Sequence, residues 1–307
     1  MISVVIPSYN KEAFIAEAIQ SVLDQTFDRW ELIVVDDAST DCSVSLINNF
    51  KDSRIRLIQI EKSGVSIARN IGIEASQYHW IALLDADDWW APTFLEEMIE
   101  CINIYPEQKL FASGRTHVFR DYSKRYVNHL LPAEGKVATV NFFEVLVKYL
   151  PLINSSNAVI EKSVLQEGGL FRRGQKLHED HDLWMRLCLD KEVVFLNKNL
   201  SFYRNTEPNS ASKLPYEPSD FCLFMKTLVE SKKRLKDPNR KYFLVYCNRF
   251  VLLTYIKNYA RYTAFEDNEV FALAEGLVSK SSRRVLKFLR WLPFKNTYPV
   301  FKLFHVR

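Results

Sequence analysis

The chain has 307 residues, 48% of them hydrophobic, and a formal net charge of +4. That is enough apolar material for one large domain or two, and too little positive charge to argue for nucleic acid as a partner. The five cysteines are odd in number, lack metal-ligand spacing and read as reduced thiols of a cytosolic protein. Ile2–Ile6 reads as a core strand rather than a signal peptide, and no uncharged apolar run reaches the ~18 residues of a membrane-spanning helix. With eight glycines and neither G-x-G-x-x-G nor G-x-x-x-x-G-K-[ST], dinucleotide and P-loop sites are not expected.

In chain order, the β-branched run Ile2–Ile6 stops at Pro7 and predicts a buried strand. Asn10 is placed to cap the following helix, whose Phe14, Ile15, Ala18, Ile19, Val22 and Leu23 recur at helical spacing. Glu31–Val35 is a second strand ending in Asp36-Asp37, followed by a short helix with Val44, Ile47 and Phe50 on one face. Arg54–Ile60 is a third strand, and Ser63-Gly64 opens a helix carrying Ile67, Ala68, Ile71 and Ala75. A fourth apolar run, Trp80–Leu84, precedes Pro92 and a helix with Leu95, Met98, Ile99 and Ile102. Strands alternating with such helices predict a parallel, doubly wound sheet covered on both faces.

The fourth strand ends in Asp85-Ala-Asp-Asp88. Neighbouring carboxylates repel unless a cation or donor groups neutralise them, and an all-oxygen set suits Mg²⁺ or Mn²⁺ sharing substrate phosphates. Taken alone, D-x-D-D serves equally well as a solvated capping loop. Three strand ends, at Pro7–Asn10, Asp36-Asp37 and Asp85–Asp88, point one way in a parallel sheet and can share a crevice.

Val4-Val-Ile-Pro-Ser-Tyr-Asn-Lys-Glu12, Glu31-Leu-Ile-Val-Val-Asp-Asp-Ala-Ser-Thr-Asp41, Gly64-Val-Ser-Ile-Ala-Arg-Asn-Ile-Gly72 and Leu84-Asp-Ala-Asp-Asp88 resemble, in order and spacing, the successive signatures of family 2 glycosyltransferases. Those are inverting enzymes of the GT-A fold. The resemblance implies that Pro7, Tyr9 and Asp37 lie near the nucleotide base, with Asp37 a candidate to pair with its edge. It implies that Asp87 and Asp88 meet the metal and diphosphate, with Asp85 close to the sugar or ribose. Arg69 is either a diphosphate or sugar contact or an ion pair to the aspartates.

From Phe111 the pattern is less regular. Asn141–Leu150 reads as a helix, Ser155–Ile160 as a strand and Ser163–Phe171 as a helix ending in glycine. In His178-Glu-Asp-His-Asp-Leu-Trp-Met-Arg-Leu187, acids fall in a helix's first turn, where they commonly just complement the dipole. The segment is similar to the family's E-D-x-D-L-W-x-R-L motif, which implies Asp180 as general base and Glu179 as its orienting or acceptor-contacting neighbour. His178 and His181 read as acceptor-shaping or surface residues, since no metal-ligand spacing supports them. After the strand Val193–Phe202 the family often shows Y-R-x-H-x-x-S-x-S. Here Tyr203-Arg204 is followed by Thr206 at the histidine position, with Ser210 and Ser212 kept. The departure leaves Arg204 as the candidate for neutralising the diphosphate. Residues 206–218, with Pro208, Pro215 and Pro218, read as a lid or linker.

Beyond Phe221 the chain reads as helices over 221–235, 242–262, 266–278 and 282–292, outside the resemblance. From Gly276 to Arg307 there is no acid, and Arg283, Lys287 and Arg290 are predicted on one helix face with Val285, Phe288, Leu289 and Leu292 on another. Pro293 stops that helix, and Tyr298, Phe301, Leu303 and Phe304 follow among lysines, a pattern that suits an anionic membrane surface.

The sequence therefore predicts a GT-A-like α/β fold with a doubly wound, mostly parallel sheet and a helical C-terminal extension. Residues 1–110 form a nucleotide-sugar half, 111–213 an acceptor half and 214–307 the extension. The resemblance implies sugar transfer from a nucleotide donor, expected to be UDP-linked, to a saccharide or lipid-linked saccharide acceptor in surface polysaccharide, lipopolysaccharide or capsule synthesis. Mn²⁺ or Mg²⁺ is expected as cofactor, and the setting is cytoplasmic or peripheral on the inner membrane face. Two alternatives stand: a sugar-1-phosphate nucleotidyltransferase, whose usual G-x-G-[TS]-R is replaced here by Pro7-Ser-Tyr-Asn10, and a non-catalytic nucleotide-sugar-binding partner of a synthase.

Overall fold

The structure, a computed structural model, describes residues 1–206, 218–258 and 264–291, with only the helical backbone of 264–266. Ser210, Ser212, most of the expected 206–218 loop, residues 259–263 and the aromatic tail beyond Trp291 lie outside the described residues.

The apolar runs form the expected strands. They are β1 (Ile2–Ser8), β2 (Trp30–Asp37), β3 (Ile55–Ile60) and β4 (Trp80–Leu83), joined through helices α1 (Ile15–Leu23), α2 (Ser43–Asn49) and α3 (Val65–Ala75). They pair in the order β3-β2-β1-β4, all parallel. β1 is buried along its whole length, as a strand covered on both faces should be. Gly72 of α3 lets helix and strand touch: a Cβ there would stand 2.3 Å from Val5 Cγ1.

The sheet continues through residues the alternation did not pair. β5 (Trp89–Trp90) and α4 (Phe94–Ile104) lead to β6 (Leu110–Val118), β7 (Ser123–Arg125), β8 (Val137–Val140) and α5 (Phe142–Lys148). Next come β9 (Ala158–Glu161), α6 (Lys162–Glu167), α7 (Glu179–Leu187) and β10 (Val193–Arg204). β9 inserts antiparallel between β4 and β6, β10 lies parallel to β6, and β5 closes the far edge antiparallel to β10. One mixed sheet thus runs through both halves, and the boundary at 110 falls inside it. The strand read from Ser155 begins only at Ala158, because Asn157 turns its amide to the Ser113 and Leu152 carbonyls instead. Asn10 does not cap α1: it has φ +49° and its side chain accepts from the Thr40 N–H in the loop after β2.

The extension contains α8 (Pro218–Arg234), α9 (Asn239–Asn258), α10 (Ala264–Leu277) and α11 (Lys280–Trp291). Buried Asp182 fastens α7 to α8, accepting from Arg186 and Thr227 and forming an ion pair with Arg172. In α11 the structure corrects the expected faces. Lys287 pairs with Glu275 at 3.1 Å and Arg290 with Asp267 at 2.8 Å, while Arg283 donates to the Glu275 carbonyl, so the cationic face docks on acids of α10. Leu286 and Leu289 are buried, whereas Val285, Phe288 and Trp291 are exposed beside Lys280 and Arg284. The helical phase was legible in the sequence; which face meets the body depended on acids a helix away. Among the described residues no helix is long and apolar enough to cross a membrane.

Candidate active site

A cleft of about 800 Å³ opens at the carboxyl ends of β1, β2, β4, β6 and β10. It brings together Pro7, Tyr9, Asp37, Arg69, Asp85, Asp87, Glu179, Asp180 and Arg204 from stretches far apart in the chain.

Asp37 is buried at the end of β2 and holds the loop before α3. It accepts from Lys62 Nζ at 2.8 Å and from the backbone N–H groups of Ser63 and Gly64 at 2.5 and 3.0 Å. Gly64 opens α3 at φ +91°, a conformation open to glycine. Lys62 also sits over the half-exposed Tyr9 ring, 2.7 Å from its centroid. Asp37 and Tyr9 are therefore joined by one cation.

The acid loop splits its carboxylates. Asp85 and Asp87 face the cleft; Asp85 pairs with Arg69 at 2.7 Å and Asp87 with Lys11. Asp88 does not join Asp87 there, contrary to expectation. It is buried, accepts from Ser156 Oγ at 2.5 Å and from the Arg204 N–H at 2.9 Å, and ties the loop to the start of β9 and the end of β10. Burial, with the charges of Asp87 and Asp85, raises its carboxyl well above the usual range. The Arg204 guanidinium lies between the Phe14 and Trp89 rings, donates to the Asp87 carbonyl and pairs with Glu17. Its side chain braces the acid loop from the rim.

Arg69 is buried and reaches both Asp85 and Glu179, the second at 2.9 Å. Of its two expected roles, the ion pair to aspartate is the one seen, extended to the start of α7. Asp180 follows Glu179 at the helix N-terminus, where the His181 N–H donates to its Oδ1 at 2.7 Å. Burial raises both the Glu179 and Asp180 carboxyls, with Arg69 pulling the other way. His178 holds a left-handed conformation at φ +59° before α7 and stacks on Phe224 of α8 at 5.4 Å. Burial keeps His178 and His181 neutral, near 3 and 4 respectively.

The sequence reading passed over several cleft residues. Lys11, Lys62, Arg115 and His117 all line it. Arg115 and His117 stand in the otherwise uncharged and mostly buried β6, and a charge inside a buried strand was the available signal. Ser156, fully buried, left no comparable mark.

The family model for glycosyl transferase family 2 matches residues 3–168, more than half of the chain. An uncharacterized glycosyltransferase of Haemophilus influenzae is 41% identical over 66% of this chain and 79% of its own length. An Escherichia coli protein, UDP-Glc:alpha-D-GlcNAc-diphosphoundecaprenol beta-1,3-glucosyltransferase WfaP, is 28% identical over 66% of this chain and 77% of its own. For two other curated relatives the match covers less than half of their own length, 30% of one and 41% of the other. Among solved structures, S. aureus TarS residues 1–349 in complex with UDP-GlcNAc superposes with a TM-score of 0.76 at 18% identity, over 94% of this chain and 87% of that one. The fold is shared with TarS, and the chain belongs to glycosyl transferase family 2.

Proposed function

We propose that the chain is an inverting glycosyltransferase that moves a sugar from a UDP-linked donor to a hydroxyl of a lipid-linked saccharide in surface-polysaccharide assembly. The observation that carries this reading is the Arg69 bridge. It fixes Asp85, on the loop facing the expected diphosphate, against Glu179, beside the candidate base. The acceptor class follows the E. coli relative, whose name gives a diphosphoundecaprenol-linked substrate.

In the proposed reaction the acceptor oxygen attacks the anomeric carbon as its proton passes to Asp180. The bond to the donor's diphosphate breaks with its electron pair on the leaving oxygen. A carboxylate raised by burial holds a proton more strongly than an ordinary aspartate, which suits a base acting late in transfer. Arg69 keeps Glu179 and Asp85 from repelling each other across the cleft. The donor set also fits a divalent metal. Asp85 and Asp87 are oxygen ligands facing the cleft, and a cation, the Lys11 ammonium, already lies against Asp87. No three metal-binding side chains converge among the described residues, as expected where phosphates complete the shell. Bound there, Mn²⁺ or Mg²⁺ would offset charge on the departing diphosphate.

Incubation of the purified protein with a panel of nucleotide sugars and Mn²⁺ tests the reading. Slow hydrolysis of one donor is expected and names both nucleotide and sugar. Binding of a donor with no hydrolysis and no transfer would leave a non-catalytic role, and absence of binding across the panel would overturn the reading. Peripheral contact with an anionic inner-membrane face belongs to the same proposal. It rests on exposed Val285, Phe288 and Trp291 beside Lys280 and Arg284, rather than on the cations that dock α11.

A further inference from the structure

Arg115 is a buried cation with no carboxylate in ion-pair contact among the described residues; Asp180 and Asp88 act on it only from farther off, and burial still lowers its pKa. It is 3% exposed, yet it lines the cleft. Its Nη1 donates to the Leu152 carbonyl at 3.1 Å, Nη2 to the Pro151 carbonyl at 2.8 Å and Nε to His117 Nε2 at 3.3 Å. A guanidinium carries five N–H groups, and these three bonds leave two of them unused. The Tyr126 ring backs it at 4.2 Å. Arg69, the other buried arginine of the cleft, has two carboxylates. Burying a charge without a partner is costly, and an active site bears that cost where a substrate brings the missing charge.

The surroundings indicate the kind of anion. His117 is neutral, pushed down to about 4 by burial and by the charges of Arg115 and Lys124, so it accepts from Arg115 without competing for an anion. Phe119 and Leu150, the latter 60% exposed, form the cleft wall beyond it. A cation set in the cleft and an apolar wall beside it match a phosphate with an aliphatic chain attached.

Resting on the glycosyltransferase reading, we infer that Arg115, oriented by His117, is an anion subsite on the acceptor side. It takes a phosphate group of the carrier lipid to which the accepting saccharide is joined. The cation then measures the distance from carrier phosphate to the accepting hydroxyl, and so favours an acceptor whose accepting sugar stands close to the carrier.

The test is a calorimetric titration of the full chain, saturated with UDP and Mn²⁺, with decyl diphosphate, decyl glucuronide and decyl glucoside. Decyl diphosphate is expected to bind at least about tenfold more tightly than the glucoside, the scale of a charge-assisted pair. Arg115→Gln should erase that preference with UDP affinity unchanged. If Arg115→Gln does not fold, the wild-type preference decides, and Arg115→Lys should keep it by keeping the charge. Equal affinity for diphosphate and glucoside overturns the subsite, as does a preference that survives in Arg115→Gln. Tighter binding of the glucuronide overturns the phosphate assignment. Displacement of UDP by decyl diphosphate would assign the cation to the donor instead. A protein that binds UDP but not decyl diphosphate fails only this inference, whereas one that binds no UDP fails the underlying reading as well.

Discussion

The two sides of the cleft balance charge in opposite ways. On the proposed donor side each carboxylate facing the cleft meets a cation: Asp37 meets Lys62, Asp85 meets Arg69 and Asp87 meets Lys11. On the proposed acceptor side Glu179 shares Arg69, but Arg115 is buried with no acid in ion-pair contact, and Asp180 has the His181 N–H rather than a cation as its direct partner. A paired network suits a ligand that brings both signs at once, a diphosphate with its metal. An unpaired group instead marks a place where substrate completes the balance.

The largest effect should come from the base. Asp180→Asn is expected to lose at least ~100-fold in transfer rate while UDP affinity stays as it was. A parallel loss of UDP affinity in calorimetry would put Asp180 on the donor side and collapse the contrast. Asp87→Asn should act the other way round, weakening Mn²⁺-dependent UDP binding by about tenfold or more, the scale on which metal-site residues act. Its circular dichroism should match the wild type, because Asp87 faces the cleft rather than the core.

The pH dependence sharpens the same distinction. A raised Asp180 carboxyl keeps its proton to higher pH than a free aspartate. The rate should therefore fall on acidification at a pH above the ordinary aspartate range, and the limb should vanish in Asp180→Asn. Stability has the matching sign. Between its unfolded and its raised folded value this group binds more protons in the native state, so it lowers stability as pH rises through that window. Asp180→Asn should then melt slightly higher than wild type at neutral pH, measured by calorimetry. The smallest effect is expected at the extension. Phe288→Ser with Trp291→Ser should reduce cosedimentation with anionic vesicles by a few-fold, leaving donor hydrolysis untouched. Unchanged pelleting would make that face plain surface.

The alternation of β-branched runs with amphipathic helices made the first four strands legible, because each element is specified by its own residues. The insertion of β9 was not legible, since pairing between Trp80 and Glu161 leaves no trace in either local pattern. The site divides similarly. Motif order pointed to the cleft residues, but not to which acid faces inward. Asp88 is turned by Ser156, 68 positions away, and Arg69 is claimed by Glu179, 110 positions away. On α11, acids of the preceding helix took the cations that the isolated pattern offered to solvent.

The continuous sheet has a consequence for any attempt to divide the chain. β4 is paired by residues before it on one side and by β9 on the other. A fragment ending near residue 110 would leave that apolar strand with an open edge at its centre, and such edges recruit other chains. β5 would lose β10, and Asp88 would lose both Ser156 and the Arg204 N–H. The donor half is thus not a transplantable cassette: its acid loop acquires its shape only when the later half of the chain has folded against it.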